Sequence, residues 1–394
     1  VIVTHLVLSD FRNYASADLE LVAGPNLLVG SNGQGKTNLV EAIGYLSTLG
    51  SHRVASDQAL IRAGQDAAIV RARLEHAERS VLVEVQINRS GANRAQVNRV
   101  ATKPRDLPRY AASVLFAPED LALVRGDPGG RRRYLDQLLV QLSPRLAGVL
   151  ADYDRVLKQR TTLLKSVRAA RVADSQLSTL EVWDERLVDL GSQIVVERSA
   201  LVERIRPFVA DAYRRVAGEE HRADLAVRLS ITGSAPDEDA GFTDEGEDAG
   251  IPVALAAADV RETFVAALAR LRRQELDRGL TLVGPHRDDL VLTLNGLPAK
   301  GYASHGESWS FALALKLAAA AALRAESPLG DPVIILDDVF AELDESRRVR
   351  LADAIAGYEQ VLITAAVLPD VPAALRAHTV HIRAGRIVEP GEDA

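Results

Sequence analysis

The sequence predicts an α/β fold in which one sheet-based domain is divided by a helical insertion. Three observations carry that prediction. Short apolar segments bounded by turn residues fill the first part of the chain and return after Thr281. Between Gly126 and Arg278 the periodicity is helical instead. The length, 394 residues, exceeds what one ordinary core holds. The expected division is 1–125 for the first part of the sheet domain, 126–278 for the insertion and 279–394 for the second part.

In chain order, strands are expected at 1–8, 17–22 and 26–29, followed by a glycine-rich turn and a helix at 36–49. Further strands fit 70–74, 81–87 and 113–116. Asp127-Pro128 is a helix start, a carboxylate N-cap with proline at the first helical position. Residues 144–167 read as an amphipathic helix with Tyr153, Leu157, Leu164 and Val167 on one face. A second helix carries Leu180, Trp183, Leu187, Leu190, Ile194, Leu201, Ile205 and Phe208 along a heptad seam, which suits packing rather than a ligand. The two helices can pair as a short antiparallel hairpin of roughly 35 Å, at 1.5 Å per residue. Residues 234–250 hold seven acidic residues and no basic ones, the composition of a solvated loop. Strands at 281–283 and 290–294, a helix at 307–324 and strands at 333–336 and 360–364 complete the pattern.

Composition narrows the function classes. Apolar content of 47% and charged content of 26% exclude wholesale disorder. The absence of cysteine removes disulfides, thiolate metal sites and a catalytic thiol, and fits a reducing compartment. Asp10, Arg12 and Asp18 interrupt any apolar leader, and the longest apolar run, 311–323, is broken by Lys316 and too short for a bilayer. A soluble, cytoplasmic protein with no membrane partner is expected. The chain lacks methionine and opens on Val1, read as an alternative start codon translated literally. Net charge is −7, so nucleic acid could be bound only by a local basic surface. Aromatic content of 4% argues against an extended base-stacking platform.

Gly30-Ser31-Asn32-Gly33-Gln34-Gly35-Lys36-Thr37 matches the phosphate-loop pattern G-x-x-x-x-G-K-[ST] between an apolar strand and a helix. Glycines let the backbone N–H groups wrap a phosphate while the helix aims its positive end at it. Lys36 would neutralise phosphate oxygens and the Thr37 hydroxyl would ligate Mg²⁺, which points to ATP. A second apolar strand ends in Asp337-Asp338. Ligands of open parallel sheets sit at the carboxyl ends of strands, so Asp337 is expected on the Mg²⁺ side and Asp338 orienting the attacking water. Ser304-His305-Gly306-Glu307 opens the long helix at 307 and reads, alone, as a serine N-cap.

Beside the other two motifs, this last segment resembles the signature of ABC-type ATPases, usually S-G-G-Q, from which His305 and Glu307 depart. That resemblance implies that Ser304, Gly306 and Glu307 of one protomer reach ATP held by another, a helix N-terminus supplied in trans. More of the chain resembles the RecF family within that class. The resemblance rests on Asp10-Phe11-Arg12-Asn13-Tyr14, on the phosphate loop continuing through Asn38-Leu39-Val40-Glu41-Ala42-Ile43, and on Ser51-His52-Arg53. It continues in Phe116-Ala117-Pro118-Glu119-Asp120-Leu121, Arg131-Arg132-Arg133-Tyr134-Leu135-Asp136, Gly284-Pro285-His286-Arg287-Asp288-Asp289-Leu290 and the run from Leu336 to Asp344. It implies a split ABC-type ATPase head with a helical lid, binding of single-stranded or gapped DNA, and an ATP-dependent homodimer. It also implies weak DNA-dependent ATPase activity, RecO and RecR as partners, and help in loading RecA during gap repair and the SOS response. Two departures predict slow hydrolysis: Asp338 is a methylene shorter than the usual glutamate, and Thr364 stands near where ABC ATPases place a histidine. The competing readings are an ABC transporter ATPase subunit and an SMC-like chromosome-structure protein, although this insertion is too short for a long arm.

Arg131, Arg132 and Arg133 fall in the first turns of a helix, where positive charge opposes the helix dipole. Either they meet DNA phosphates, or they form a solvated turn or an intramolecular ion pair. His286 and Arg287 are candidates for a loop that reaches DNA or a dimer interface, while Arg12 and Asn13 either approach the nucleotide base or serve turn chemistry.

Overall fold

In chain order the strands and helices begin with β1 (Ile2–Phe11), β2 (Tyr14–Glu20), β3 (Gly24–Val29), α1 (Lys36–Thr48), β4 (Ala67–His76) and β5 (Arg79–Asn88). Next come β6 (Arg94–Val97), β7 (Val100–Thr102), β8 (Ser113–Phe116), α2 (Leu121–Arg125), α3 (Pro128–Leu142), α4 (Leu146–Ala170) and α5 (Ser175–Ala217). The remainder are β9 (Ala223–Arg228), α6 (Val260–Arg278), β10 (Asp289–Leu294), β11 (Leu297–Pro298), α7 (Ala299–Tyr302), α8 (His305–Glu326), β12 (Val333–Asp337), α9 (Glu345–Ile355), β13 (Gln360–Ala365), β14 (His378–Arg383) and β15 (Arg386–Val388). The structure is a computed structural model and describes residues 1–77, 79–170, 175–218, 221–233 and 255–388. The acidic stretch 234–250 lies outside the described residues.

Three sheets organise these elements. A six-stranded sheet of order β15-β14-β3-β13-β12-β8 is parallel except for the β14–β15 pair. Strand β12 is buried along its whole length: Ile334 and Leu336 face one core while Val333 and Ile335 face another. Such an uninterrupted apolar run is what a central parallel strand requires. A second sheet of order β2-β1-β4-β5-β6-β7 is antiparallel. Its alternating inward residues, among them Leu6, Leu8, Val70, Val83 and Val85, pack with Leu39, Ile43 and Leu46 of α1. Helix α1 therefore lies between two sheets. On the other side of the parallel sheet, α8 is buried nearly all round and packs against the later part of α5.

The second long helix differs from its expected extent. It runs 43 residues, through Pro207, and its apolar seam serves two cores. Leu187 and Ile194 join Tyr153 and Phe264 in the lid, whereas Leu201, Ile205, Val209 and Tyr213 join the core beneath α8. Helices α4 and α5 are antiparallel, since Arg160 meets Asp184 and Tyr153 meets Gly191. A small third sheet, β11-β10-β9, was only partly legible: β9, inside the insertion, pairs with β10 outside it. Segment 126–278 thus contributes to the lid core and to the core of the sheet domain. The strand expected at 281–283 is absent. There Thr281 accepts a hydrogen bond from Arg160, Leu282 N–H donates to Glu275, and Val283 packs into the lid core, so side chains take the place of a sheet partner.

Candidate nucleotide site

Both chain halves deliver residues to one edge of the parallel sheet. Strand β13 lies between β3 and β12, so the loop after β3 and the carboxylates ending β12 emerge together. Thr37 Oγ1 donates to Asp337 Oδ1 at 2.8 Å although 300 residues separate them in sequence.

The phosphate loop is shaped by close approaches. Gly35 is the N-cap of α1 at φ +117°, and a Cβ there would meet the Tyr14 hydroxyl at 2.7 Å and Asn13 Nδ2 at 2.9 Å. A side chain at Gly30 would run into the carbonyl of Ile382 on β14. Ser31, Asn32 and Gly33 are exposed at the tip of the turn. Gln34 is pinned from both sides: its carbonyl accepts from Asn13 Nδ2 at 3.2 Å and from Gly385 N–H at 2.9 Å. Lys36 is buried, with Nζ donating to the carbonyls of Gly30 at 2.7 Å and Ser31 at 3.2 Å. Its ammonium therefore sits inside the curl of the loop, where a phosphate would be wrapped.

Asp337 is 4% exposed and lies opposite Thr364 in the β12–β13 register. Burial opposes its ionisation, but the neighbouring His52 and the hydrogen bonds from Thr364 and Thr37 outweigh that and hold its pKa below the usual carboxylate value. Thr364 Oγ1 donates to Asp337 Oδ1 at 2.7 Å and accepts from Asp338 N–H at 2.9 Å. One hydroxyl thus sets the relation between the two carboxylates. His52 Nε2 stands 3.5 Å from Asp337 Oδ2. Asp338 occupies the left-handed region, φ +52°, a strained conformation for a side-chain-bearing residue. Burial raises its pKa, an effect that Lys36 opposes and Asp337 reinforces.

These residues fit a magnesium–polyphosphate ligand. Thr37 and an ionised Asp337 offer hard oxygen donors, and Mg²⁺ typically takes one or two carboxylates with phosphate oxygens rather than a full protein cage. Among the described residues there is no group of three or more His, Cys, Asp or Glu that could hold a metal ion.

Ser304, Gly306 and Glu307 lie at the start of α8, and among the described residues no hydrogen bond joins them to the phosphate loop of their own chain. Ser304 caps α8 in a reciprocal box: Ser304 N–H donates to Glu307 Oε2 at 2.7 Å, and Glu307 N–H donates to Ser304 Oγ at 3.2 Å. Gly306 lies beneath the Arg347 guanidinium.

The basic and loop candidates require corrections. Arg131 is turned inward rather than presented to solvent: it is 5% exposed and bidentate to Asp289 at 2.7 and 2.9 Å, the intramolecular pair of the two alternatives. Arg132 donates to the Asp288 carbonyl at 2.8 Å, leaving Arg133 as the exposed member of the three. His286 does not reach outward, since Nδ1 lies 2.7 Å from the Tyr153 hydroxyl and Nε2 lies 3.2 Å from the Thr281 carbonyl. Burial lowers its pKa to about 3, so it is neutral. Arg12 grips Glu41 of α1 with two bonds of 2.7 and 2.8 Å instead of approaching a base, and Asn13 serves the loop. Sequence reasoning assigned no role to His52, and it noted Thr364 only as a missing histidine.

The chain resembles known proteins in sequence and in fold. Residues 2–383 match the RecF/RecN/SMC N terminal domain family. The chain is 65% identical over 389 residues to the DNA replication and repair protein RecF of Clavibacter michiganensis subsp. michiganensis, covering 99% of this chain and 96% of that one. It is 53% identical over 388 residues to RecF of Frankia alni, covering 98% of each. Its structure is similar to the recombination mediator protein RecF-ATP of the RecFOR pathway, with TM-score 0.85, 26% identity and coverage of 98% of this chain and 97% of that chain. A Pyrococcus furiosus Smc head domain aligns with TM-score 0.50 at 16% identity, covering 98% of this chain and 95% of that chain, a likeness of fold alone. The architecture is an ABC-type ATPase head, split by the lid.

Proposed function

The chain belongs to the RecF family, and from that premise we propose that it is an ATP-gated DNA-binding protein of replication and recombinational repair. The observation carrying this reading is the meeting of Thr37, Asp337 and Thr364 through hydrogen bonds of 2.7 and 2.8 Å. Residues 30–37 and Lys36 would bind the phosphates of ATP, and Thr37 with Asp337 would hold Mg²⁺, which when bound supplies Lewis acidity at the phosphate oxygens. Asp338, its basicity raised by burial, would orient water and receive its proton. The strained backbone and short side chain of Asp338 suit slow turnover.

Ser304 and Gly306 complete the site from a second copy. Two heads would close on two ATP molecules, and hydrolysis would release them. DNA would bind to the closed dimer, in single-stranded or gapped form, and RecO, RecR and RecA would act with it as the pathway of its relatives suggests. Arg133 lines a cleft of about 680 Å³ together with Arg105, both exposed, which supplies the local basic surface that a chain of charge −7 needs. A transporter subunit has less support. The family match and the relatives, named as DNA replication and repair proteins, support the RecF reading instead. An SMC-like bridging role would need an arm that α4, of 25 residues, does not provide.

The test is salt-titrated binding to gapped, single-stranded and duplex DNA, with and without ATP. A steep salt slope that appears only with ATP supports the reading. Binding that is equal with and without nucleotide overturns it.

A further inference from the structure

Helix α8 and the turn that follows Asp338 are joined by one side chain. From Asp338 the chain passes through a short turn of 3₁₀ helix, Val339–Glu342, whose Val339 and Phe340 are buried, and reaches Asp344. Asp344 caps α9 by accepting from Arg347 N–H at 2.9 Å, and its other oxygen pairs with the Arg347 guanidinium. The same guanidinium donates through Nε to Ser310 Oγ at 3.2 Å, and Ser310 is fully buried on α8. Its outer face lies over Gly306, where an added Cβ would stand 2.9 Å from Nη2. Arg347 therefore touches the start of α8 and the turn beyond the paired aspartates at once.

This placement opposes local electrostatics. A guanidinium beside the first turn of a helix faces the positive end of the helix dipole. Asp344 offsets part of that cost, and the rigid fork of arginine allows it to serve two partners in fixed geometry. A lysine has one point charge and no second arm.

We propose that Arg347 is a positioning residue that holds Ser304 and Gly306 in register with the Asp337–Asp344 segment of the same chain. This rests on the two-headed reading above, in which Ser304 and Gly306 serve the partner's ATP while Asp337 and Asp338 serve their own. Arg347 then links the two composite sites within each protomer, and the state of one site biases the geometry of the other.

The test compares wild type with Arg347→Gln, Arg347→Lys and Ser310→Ala, each checked for cooperative urea unfolding. Nucleotide affinity is read on dilute monomer, dimerisation by light scattering and hydrolysis against ATP concentration. Arg347→Gln is expected to keep monomer affinity within about twofold and to weaken ATP-driven dimerisation about tenfold, the effect of a lost charged hydrogen bond. The Hill coefficient of hydrolysis is expected to fall toward one. Ser310→Ala should move both readouts the same way, and it carries the test by itself if Arg347→Gln does not fold. Arg347→Lys should not rescue, because charge without the fork cannot hold both partners. Wild-type dimerisation and cooperativity in the folded variants, or full rescue by lysine, overturns the inference alone. A wild type that stays monomeric with ATP overturns the two-headed reading together with it.

Discussion

Thr364→Val isolates the hydroxyl that relates the two carboxylates. Valine matches threonine in shape, so the substitution removes polar contacts with little change in packing. Two bonds are lost: the donation to Asp337 at 2.7 Å and the acceptance from Asp338 N–H at 2.9 Å. A hydrogen bond to a charged group contributes about 1.5–3 kcal/mol, and an unpaired buried N–H costs about 1–3 kcal/mol. Some relief by water at the partly exposed Asp338 brings the expected loss of stability to about 2–4 kcal/mol. Thr364→Ser keeps both bonds and loses one methyl, so its cost is about 1 kcal/mol. The function should follow the same order. Asp337 has a depressed pKa, whose stabilisation is present above the ordinary carboxylate pKa and is lost as pH falls through the folded value. Without Thr364 the folded value rises, and the acid limb of magnesium-dependent ATP binding moves to higher pH. Urea unfolding, ATP turnover and the pH profile of binding should each place valine well below serine. If Thr364→Val and Thr364→Ser match in all three, the hydroxyl does not organise the site.

Four further outcomes follow from the structure. Asp338→Asn should retain ATP and prolong the closed dimer by at least about tenfold, because proton acceptance is lost while the fold is kept; single-turnover hydrolysis and dimer lifetime measure this. In the lid, burial raises Asp288 from 3.8 to about 6 and lowers His286 from 6.5 to about 3. The raised carboxyl loses stability as pH rises from 3.8 to 6, while the depressed imidazole loses it as pH falls from 6.5 to 3, so their slopes cancel between about pH 4 and 6. Asp288→Asn should uncover the histidine slope, about 1.4 kcal/mol per pH unit in that window, by unfolding at several pH values. Breaking the buried Arg131–Asp289 pair with Arg131→Gln should cost about 3–5 kcal/mol. Arg133→Gln should leave stability within about 0.5 kcal/mol and lower the salt slope of DNA binding by about one.

What the sequence disclosed depended on how local each signal was. Residues 30–37 and the strand ending in Asp337 were legible because phosphate wrapping and a buried parallel strand restrict residue types at fixed spacing. Their meeting at one sheet edge followed from strand polarity. The heptad seam of α5 was legible as helix, but nothing in it indicates that Leu187 and Leu201 enter different cores. Strand β9 was missed because its partner, β10, is some 60 residues away across the acidic stretch. Residues 281–283 have strand composition and no sheet edge to join. For Arg131, the alternative of an intramolecular pair was visible, yet only the fold brings Asp289 beside it. The structural roles of Thr364, His52 and Arg347 were not legible because each acts through a contact that a single sequence does not display.

The most direct measurement is the mass of the protein in solution by light scattering, with and without ATP and Mg²⁺, for wild type and Lys36→Ala. Wild type is expected to be a dimer only with nucleotide, and Lys36→Ala a monomer under every condition. A Lys36→Ala variant that dimerises on ATP as wild type does, or a wild type whose mass ignores ATP, contradicts the two-headed reading.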